Sequence, residues 1–132
     1  MKKILIAEDN QEIGKMLQRA FHFNGWNVEL VGDGQSAFDS LKNTTELPLA
    51  VIMDILMPKM SGIDLLRNMK EDARLKNIPV AVLTNSFLKE NEKQFLELGA
   101  NLYLVKIDTM SKDIVDKINT LVESQSIINN KK

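Results

Sequence analysis

The chain has 132 residues, 44% of them hydrophobic and 27% charged, the balance of one globular domain that buries a core without covalent staples. Lys and Arg number 17 against 18 Asp and Glu, so a net charge of −1 gives bulk electrostatics no hold on nucleic acid. With no cysteine and a single histidine, His22, disulfides, thiolate chemistry, iron–sulfur clusters and multi-histidine metal sites are excluded, and carboxylates, hydroxyls, amides and lysines remain.

After Met1-Lys2-Lys3 comes an apolar run at residues 4–7, which Glu8 and Asp9 break before a signal peptide's apolar region is complete. The run is continuous, as in a strand buried on both faces. Ile13, Met16, Leu17, Ala20 and Phe21 then recur at spacings of three and four, one helical stripe closed by Asn24-Gly25. His22 lies between Phe21 and Phe23 and reads as a surface or packing residue, as Trp26 and the methionines read as packing. Residues 26–30 alternate, which predicts an edge strand with one wetter face. A short helix follows the Asp33-Gly34 turn on Ala37, Phe38 and Leu41, and residues 49–53 form the third strand.

Ser61 with Asp64 three residues on resembles a capping box, opening a helix striped by Leu65, Leu66, Met69 and Ala73. Pro79 opens the fourth strand, 80–83, where a missing amide donor is tolerated. The fourth helix, 87–98, contains the polar run Lys89 to Gln94, which leaves few apolar anchors (Leu88, Phe95, Leu98), so it is either a solvated face or a loosely held element. Leu98-Gly99 ends it, residues 102–105 form the fifth strand, and Ile114, Val115, Ile118, Leu121 and Val122 stripe a last helix. Periodicity then fades, so a domain at 1–124 with a flexible tail at 125–132 is expected. The short polar tail ending in Lys131-Lys132 favours a complete single-domain protein, and with no apolar run long enough to span a membrane the expected location is cytoplasmic.

Strands alternating with helices over short loops predict an α/β fold, a doubly wound five-stranded parallel sheet with helices on both faces. Ligands bind such sheets outside the carboxyl ends of the strands, where strand order reverses. Those ends deliver Glu8-Asp9, Asp54, Thr84-Asn85 and Lys106, while the edge strand delivers only Val31-Gly32. Any of these alone would serve as a cap or surface residue; together they form a rim of carboxylates, a hydroxyl and a lysine. Clustered carboxylates resist ionising together, and a hard divalent cation relieves the conflict. A cation, a lysine and a hydroxyl suit a phosphoryl group, and a carboxylate is a competent nucleophile for it.

The set Glu8-Asp9, Asp54-Ile55-Leu56-Met57-Pro58, Ser61-Gly62, Thr84, Gly99-Ala100 and Tyr103-Leu104-Val105-Lys106 resembles the receiver domain of two-component response regulators over residues 2–124. The resemblance implies a flavodoxin-like sheet of order 2-1-3-4-5 and a phosphorylation-dependent switch or phosphorelay intermediate. It implies Asp54 as phosphoacceptor, with a histidine kinase or histidine phosphotransfer protein as donor. Magnesium, with manganese as the alternative, would be held by Asp9, Asp54 and the backbone carbonyl of Leu56, and by Glu8 through water. Lys106 and Thr84 would contact the phosphoryl oxygens, and Thr84 with Tyr103 would be the switch pair. The fourth helix, fifth strand and fifth helix would present the altered face to a downstream protein or to a second copy in a homodimer. No DNA binding and no membrane contact are implied, and no enzyme activity beyond self-assisted phosphorylation and dephosphorylation.

Departures from the family pattern carry expectations of their own. Ile107 follows Lys106 where the family usually has proline after a cis bond; a cis bond before a non-proline residue is costly, so a trans bond is expected. Glu8 replaces the commoner aspartate, one methylene longer. Leu56, Asn85 and Ser86 fall where the family tunes rate and access: Asn85 could hinder a donor, and apolar Leu56 cannot orient an attacking water, which predicts slow loss of the phosphoryl group. Three other readings compete. A pseudo-receiver keeps the fold and binds partners without phosphorylation. An aspartyl-phosphate phosphatase usually has a second aspartate where Leu56 stands. A flavin or nucleotide module needs a Gly-, Ser- or Thr-rich loop after strand one, where this chain has acidic Glu8-Asp9-Asn10-Gln11-Glu12.

Overall fold

The computed structural model describes residues 2–85, 89–106 and 111–130, with 89 and 127–130 described by backbone alone. The elements are β1 (Lys3–Ala7), α1 (Gln11–Phe23), β2 (Asn27–Val31), α2 (Gly34–Asn43), β3 (Ala50–Met53), α3 (Gly62–Glu71), β4 (Val80–Thr84), α4 (Lys89–Glu97), β5 (Leu102–Val105) and α5 (Ser111–Asn130). The strands pair in parallel in the order β2-β1-β3-β4-β5, the flavodoxin-like arrangement, with strand order reversing between β1 and β3.

The continuous apolar runs are explained by two cores, one on each face of the sheet. Leu5, Ala7, Val51, Met53, Val80 and Val82 point to one side and pack on Leu41, Leu65, Leu66, Met69 and Phe95. Ile4, Ile6, Ala50, Ile52, Ala81 and Leu83 point to the other and meet Leu17, Phe21, Trp26, Ile114, Val115 and Ile118. Alternate side chains of one strand therefore serve different helices, so residues 4–7, β3 and residues 80–83 are apolar throughout, and polar residues enter only at the strand ends, Lys3 and Thr84. β2 lies at the sheet edge and is only half-buried, as its alternation predicts. Trp26 precedes it, packs edge-to-face on Phe21 at 5.8 Å and donates its Nε1 hydrogen bond to Asn119 Oδ1 at 3.0 Å. His22 sits on the surface.

Local chemistry sets the helix ends. Asn10, not Asp9, caps α1, its side chain accepting from Ile13 N at 3.1 Å, while Asp33 caps α2 and Ser61 caps α3. Gly25 (φ 87°) and Gly99 (φ 107°) take the left-handed conformation just past α1 and α4. Three expectations change. Ala73 is exposed outside α3, because the Asp72 carboxylate captures the amides of Arg74 and Leu75 and turns the chain; Leu75 and Ile78 fill the core instead. Met16 is 44% exposed, so the apolar stripe of α1 is narrower than its spacing suggests. α5 continues through residues 125–130, the segment expected to be a flexible tail, because no glycine or proline interrupts the helix there.

Gly62 matters most for the site. Its amide donates to Ile55 O at 2.8 Å, and a Cβ there would collide with the backbone carbonyl of Asp54. Gly62→Ala therefore pushes apart the start of α3 and the residue at the end of β3. The expected cost is about 3 kcal/mol in a urea unfolding curve. A midpoint equal to wild type would show that the loop relaxes freely.

Candidate functional site

Parallel register brings the strand ends together. Ala7 is level with Met53, Met53 with Val82 and Thr84 with Val105, so the residues that follow, Glu8, Asp54 and Lys106, emerge on one rim with Thr84. A backbone hydrogen bond from Asp54 N to Ala7 O at 3.2 Å fixes the first two at the reversal of strand order.

Lys106 is the hub. Its Nζ lies 2.6 Å from Glu8 Oε1 and donates to Asp54 Oδ2 at 2.9 Å. The other oxygen of each acid is also engaged: Asp54 Oδ1 accepts from Ile55 N at 2.7 Å, and Glu8 Oε2 from Asn10 N at 3.2 Å. Glu8 is 5% exposed and Thr84 4%, whereas Asp9 stands open at the lip. Burial pushes the Glu8 carboxyl above its ordinary value, against the hydrogen bonds from Lys106 and Asn10, and the Asp54 charge adds to the rise. For Lys106, burial pulls the ammonium down, but the hydrogen bonds and charges of Glu8 and Asp54 outweigh it and leave the pKa above the ordinary lysine value.

Glu8, Asp9 and Asp54 each offer an oxygen within 4.8 Å of the others'. Three acids against one lysine leave a formal charge of −2 at the rim, and the three groups that could ligate a cation all offer oxygen. Such a donor set suits a hard divalent cation. Beside it opens a cleft of about 350 Å³ lined by Asp54, Ile55, Leu56, Thr84, Asn85 and Asn91. A larger groove, about 560 Å³, lies elsewhere among Leu49, Ile78 and Val122, with no carboxylate in its lining.

The structure thus gathers Glu8, Asp9, Asp54, Thr84 and Lys106 at one rim. Leu56 is 78% exposed and, with exposed Asn85, forms the mouth of the cleft. Tyr103 lies deeper on β5, half-buried, its ring 6.1 Å from that of Phe95. Ser86 and Ile107, and with Ile107 the bond expected to be trans, lie outside the described residues. Sequence reasoning missed Asn91: it sits in a polar run that reads as solvated surface, and nothing local marks it as facing a cleft.

Fold and rim define a class: a flavodoxin-like α/β domain whose crevice is acidic rather than glycine-rich. The family model for the response regulator receiver domain matches residues 4–119, and the chain belongs to that family, the receivers of two-component signalling. It is 33% identical over 104 residues to the response regulator MprA of Mycobacterium sp. (strain KMS), covering 79% of this chain and 44% of that protein. The chain thus spans less than half the length of the curated relatives it matches. Among solved structures it is similar to the signal receiver domain of a signal transduction histidine kinase from Syntrophus aciditrophicus. Identity there is 29% and the TM-score 0.84, covering 94% of this chain and 92% of that one. It is also similar to the Mn(2+)-bound form of response regulator Rcp1, with 26% identity, TM-score 0.79 and coverage of 92% and 91%.

Proposed function

We propose that this receiver is a phosphorylation-activated switch in which Asp54 accepts a phosphoryl group from a phosphohistidine of a histidine kinase or phosphotransfer protein. One observation carries the reading: the Asp54 carboxylate is oriented by the Ile55 amide and Lys106 at the mouth of an open cleft, on the rim where strand order reverses. An Asp54 oxygen attacks phosphorus as the bond to the donor imidazole breaks, and the imidazole leaves with that bond's electrons.

The residues of this chain hold the group in place. Lys106 neutralises phosphoryl oxygens, and the Thr84 hydroxyl donates to one of them. Asp9, Asp54 and the Leu56 carbonyl, with Glu8 through water, would hold magnesium, or manganese in its place. That ion supplies charge neutralisation at the phosphoryl oxygens. Thr84 moving toward the phosphoryl group lets the Tyr103 ring turn inward against Phe95, altering the face made by α4, β5 and α5. A downstream protein, or a second copy of the receiver, reads that face. The signalling unit includes the whole of α5, to residue 130, no DNA contact is assigned to it, and it works in the cytoplasm. No described helix is long and apolar enough to cross a membrane.

The test is intact mass after incubation with a small-molecule phosphodonor and magnesium, for the wild type and Asp54→Asn. We expect one phosphoryl group on the wild type, none on the variant and none with chelator. No gain, together with no response to beryllofluoride, overturns the reading and leaves a pseudo-receiver. In a chase by the same method, Leu56→Asn is expected to shorten the lifetime of the phosphoryl group several-fold, by placing an amide where water attacks. An unchanged lifetime would mean that Leu56 does not limit hydrolysis.

A further inference from the structure

We propose that Asn91 hydrogen-bonds the phosphoryl group and thereby ties α4 to the contents of the cleft. The proposal rests on Asp54 being the phosphoacceptor and goes beyond it by naming a contact on a different element. One side of the cleft carries the charged groups around Asp54 and Lys106. The other polar residues of the lining are neutral: Thr84, with a hydroxyl, and Asn85 and Asn91, with carboxamides. Neutral donors can satisfy a phosphoryl oxygen that neither Lys106 nor a cation holds, and they add no negative charge to an already acidic rim.

Asn91 differs from the other two in its origin. Thr84 and Asn85 belong to the end of β4, whereas Asn91 stands in the first turn of α4 and is the one residue of that helix, among those described, that lines the cleft. Asn91 and Phe95 are four residues apart, so they share a helix face. Phe95 is 2% exposed, the one buried side chain of α4 among the described residues, and its ring packs on Tyr103. A single face of α4 therefore touches the cleft at Asn91 and the Tyr103 ring one turn later. Because so little of α4 is buried, one added hydrogen bond at its first turn weighs heavily on its position.

The experiment follows hydrogen exchange in α4 and retention of the phosphoryl group, with magnesium melts as control, in the wild type, Asn91→Ala, Asn91→Asp and Gln94→Ala. Gln94 is exposed on the same helix and serves as a substitution that leaves the cleft alone. Magnesium alone should stabilise the wild type, Asn91→Ala and Gln94→Ala alike. Asn91→Ala should lose its phosphoryl group about fivefold faster than wild type. Its α4 exchange should no longer respond to beryllofluoride. Asn91→Asp should gain the phosphoryl group about tenfold more slowly, because its charge faces the incoming anion. Gln94→Ala should match wild type throughout. If Asn91→Ala retains its phosphoryl group and its α4 response as wild type does, or if Asn91→Asp is labelled at the wild-type rate, the proposal is overturned. A wild type that takes neither phosphoryl group nor beryllofluoride overturns the Asp54 reading itself, before any variant is compared.

Discussion

Lys106→Ala should cost the metal-free protein about 3 kcal/mol at pH 8, read as a fall in urea midpoint at unchanged slope. The lysine side chain is 10% exposed and lies 2.6 Å from Glu8 and 2.9 Å from Asp54, so its removal leaves two neighbouring carboxylates in a buried setting without their cation. The pH dependence follows from the two shifts. The Lys106 pKa is raised in the fold, so its contribution is complete below the ordinary lysine value and is lost only as pH climbs through the folded value. Between pH 5 and 8 the lysine itself therefore contributes no slope.

Glu8 behaves differently. Its carboxyl is raised by burial, so the fold disfavours the ionised form, and stability is lost as pH rises from the ordinary glutamate value through the raised one. Taking away Lys106 removes a hydrogen bond that favours ionised Glu8 and raises that carboxyl further. The cost of Lys106→Ala should then shrink at pH 5, where Glu8 can take up a proton. Equal costs at the two pH values, or a cost below about 1 kcal/mol at pH 8, would show that water reaches the cluster and screens it.

The second large effect is metal-linked. Magnesium at ten times its dissociation constant should add about 1.4 kcal/mol, or about 5 °C in Tm for a domain of this size. Asp9→Asn should abolish most of that gain while leaving the metal-free protein at least as stable as wild type. The reason is positional: Asn10, not Asp9, caps α1, so Asp9 contributes charge to the acidic cluster and little to the fold. Melting curves with magnesium titrated at constant ionic strength decide the matter. A variant that keeps the full shift would place the cation away from Asp9.

Much of the molecule was legible in advance because the signals are local. Strands buried on both faces must be apolar through their middles, and β1, β3 and β4 show this directly, with polar residues only at the ends, Lys3 and Thr84. The cap at Ser61, the turn at Asp33-Gly34 and the glycines at 25 and 99 need only the few residues around them to act. Where reading failed, a second local effect intervened. Asp72 captured amides and ended α3 before Ala73, and α5 met no residue able to stop it at 124. The rim residues could be placed at strand ends from periodicity, and the matching of those ends follows from parallel pairing.

The sequence by itself determined the alternation of strands and helices, the absence of sulfur and multi-histidine chemistry, and the carboxylates, hydroxyl and lysine at the carboxyl ends of the strands. Only the tertiary structure decided that Lys106 bridges Glu8 and Asp54, that Asp9 is left at the lip, and that Asn91 faces the cleft. The difference is one of range. Periodicity and capping act over a few residues along the chain. Contacts between residues 8, 54 and 106, and the cleft that α4 shares with the end of β3, depend on strand register and on how a sparsely buried helix settles against the sheet, which no short stretch of sequence encodes.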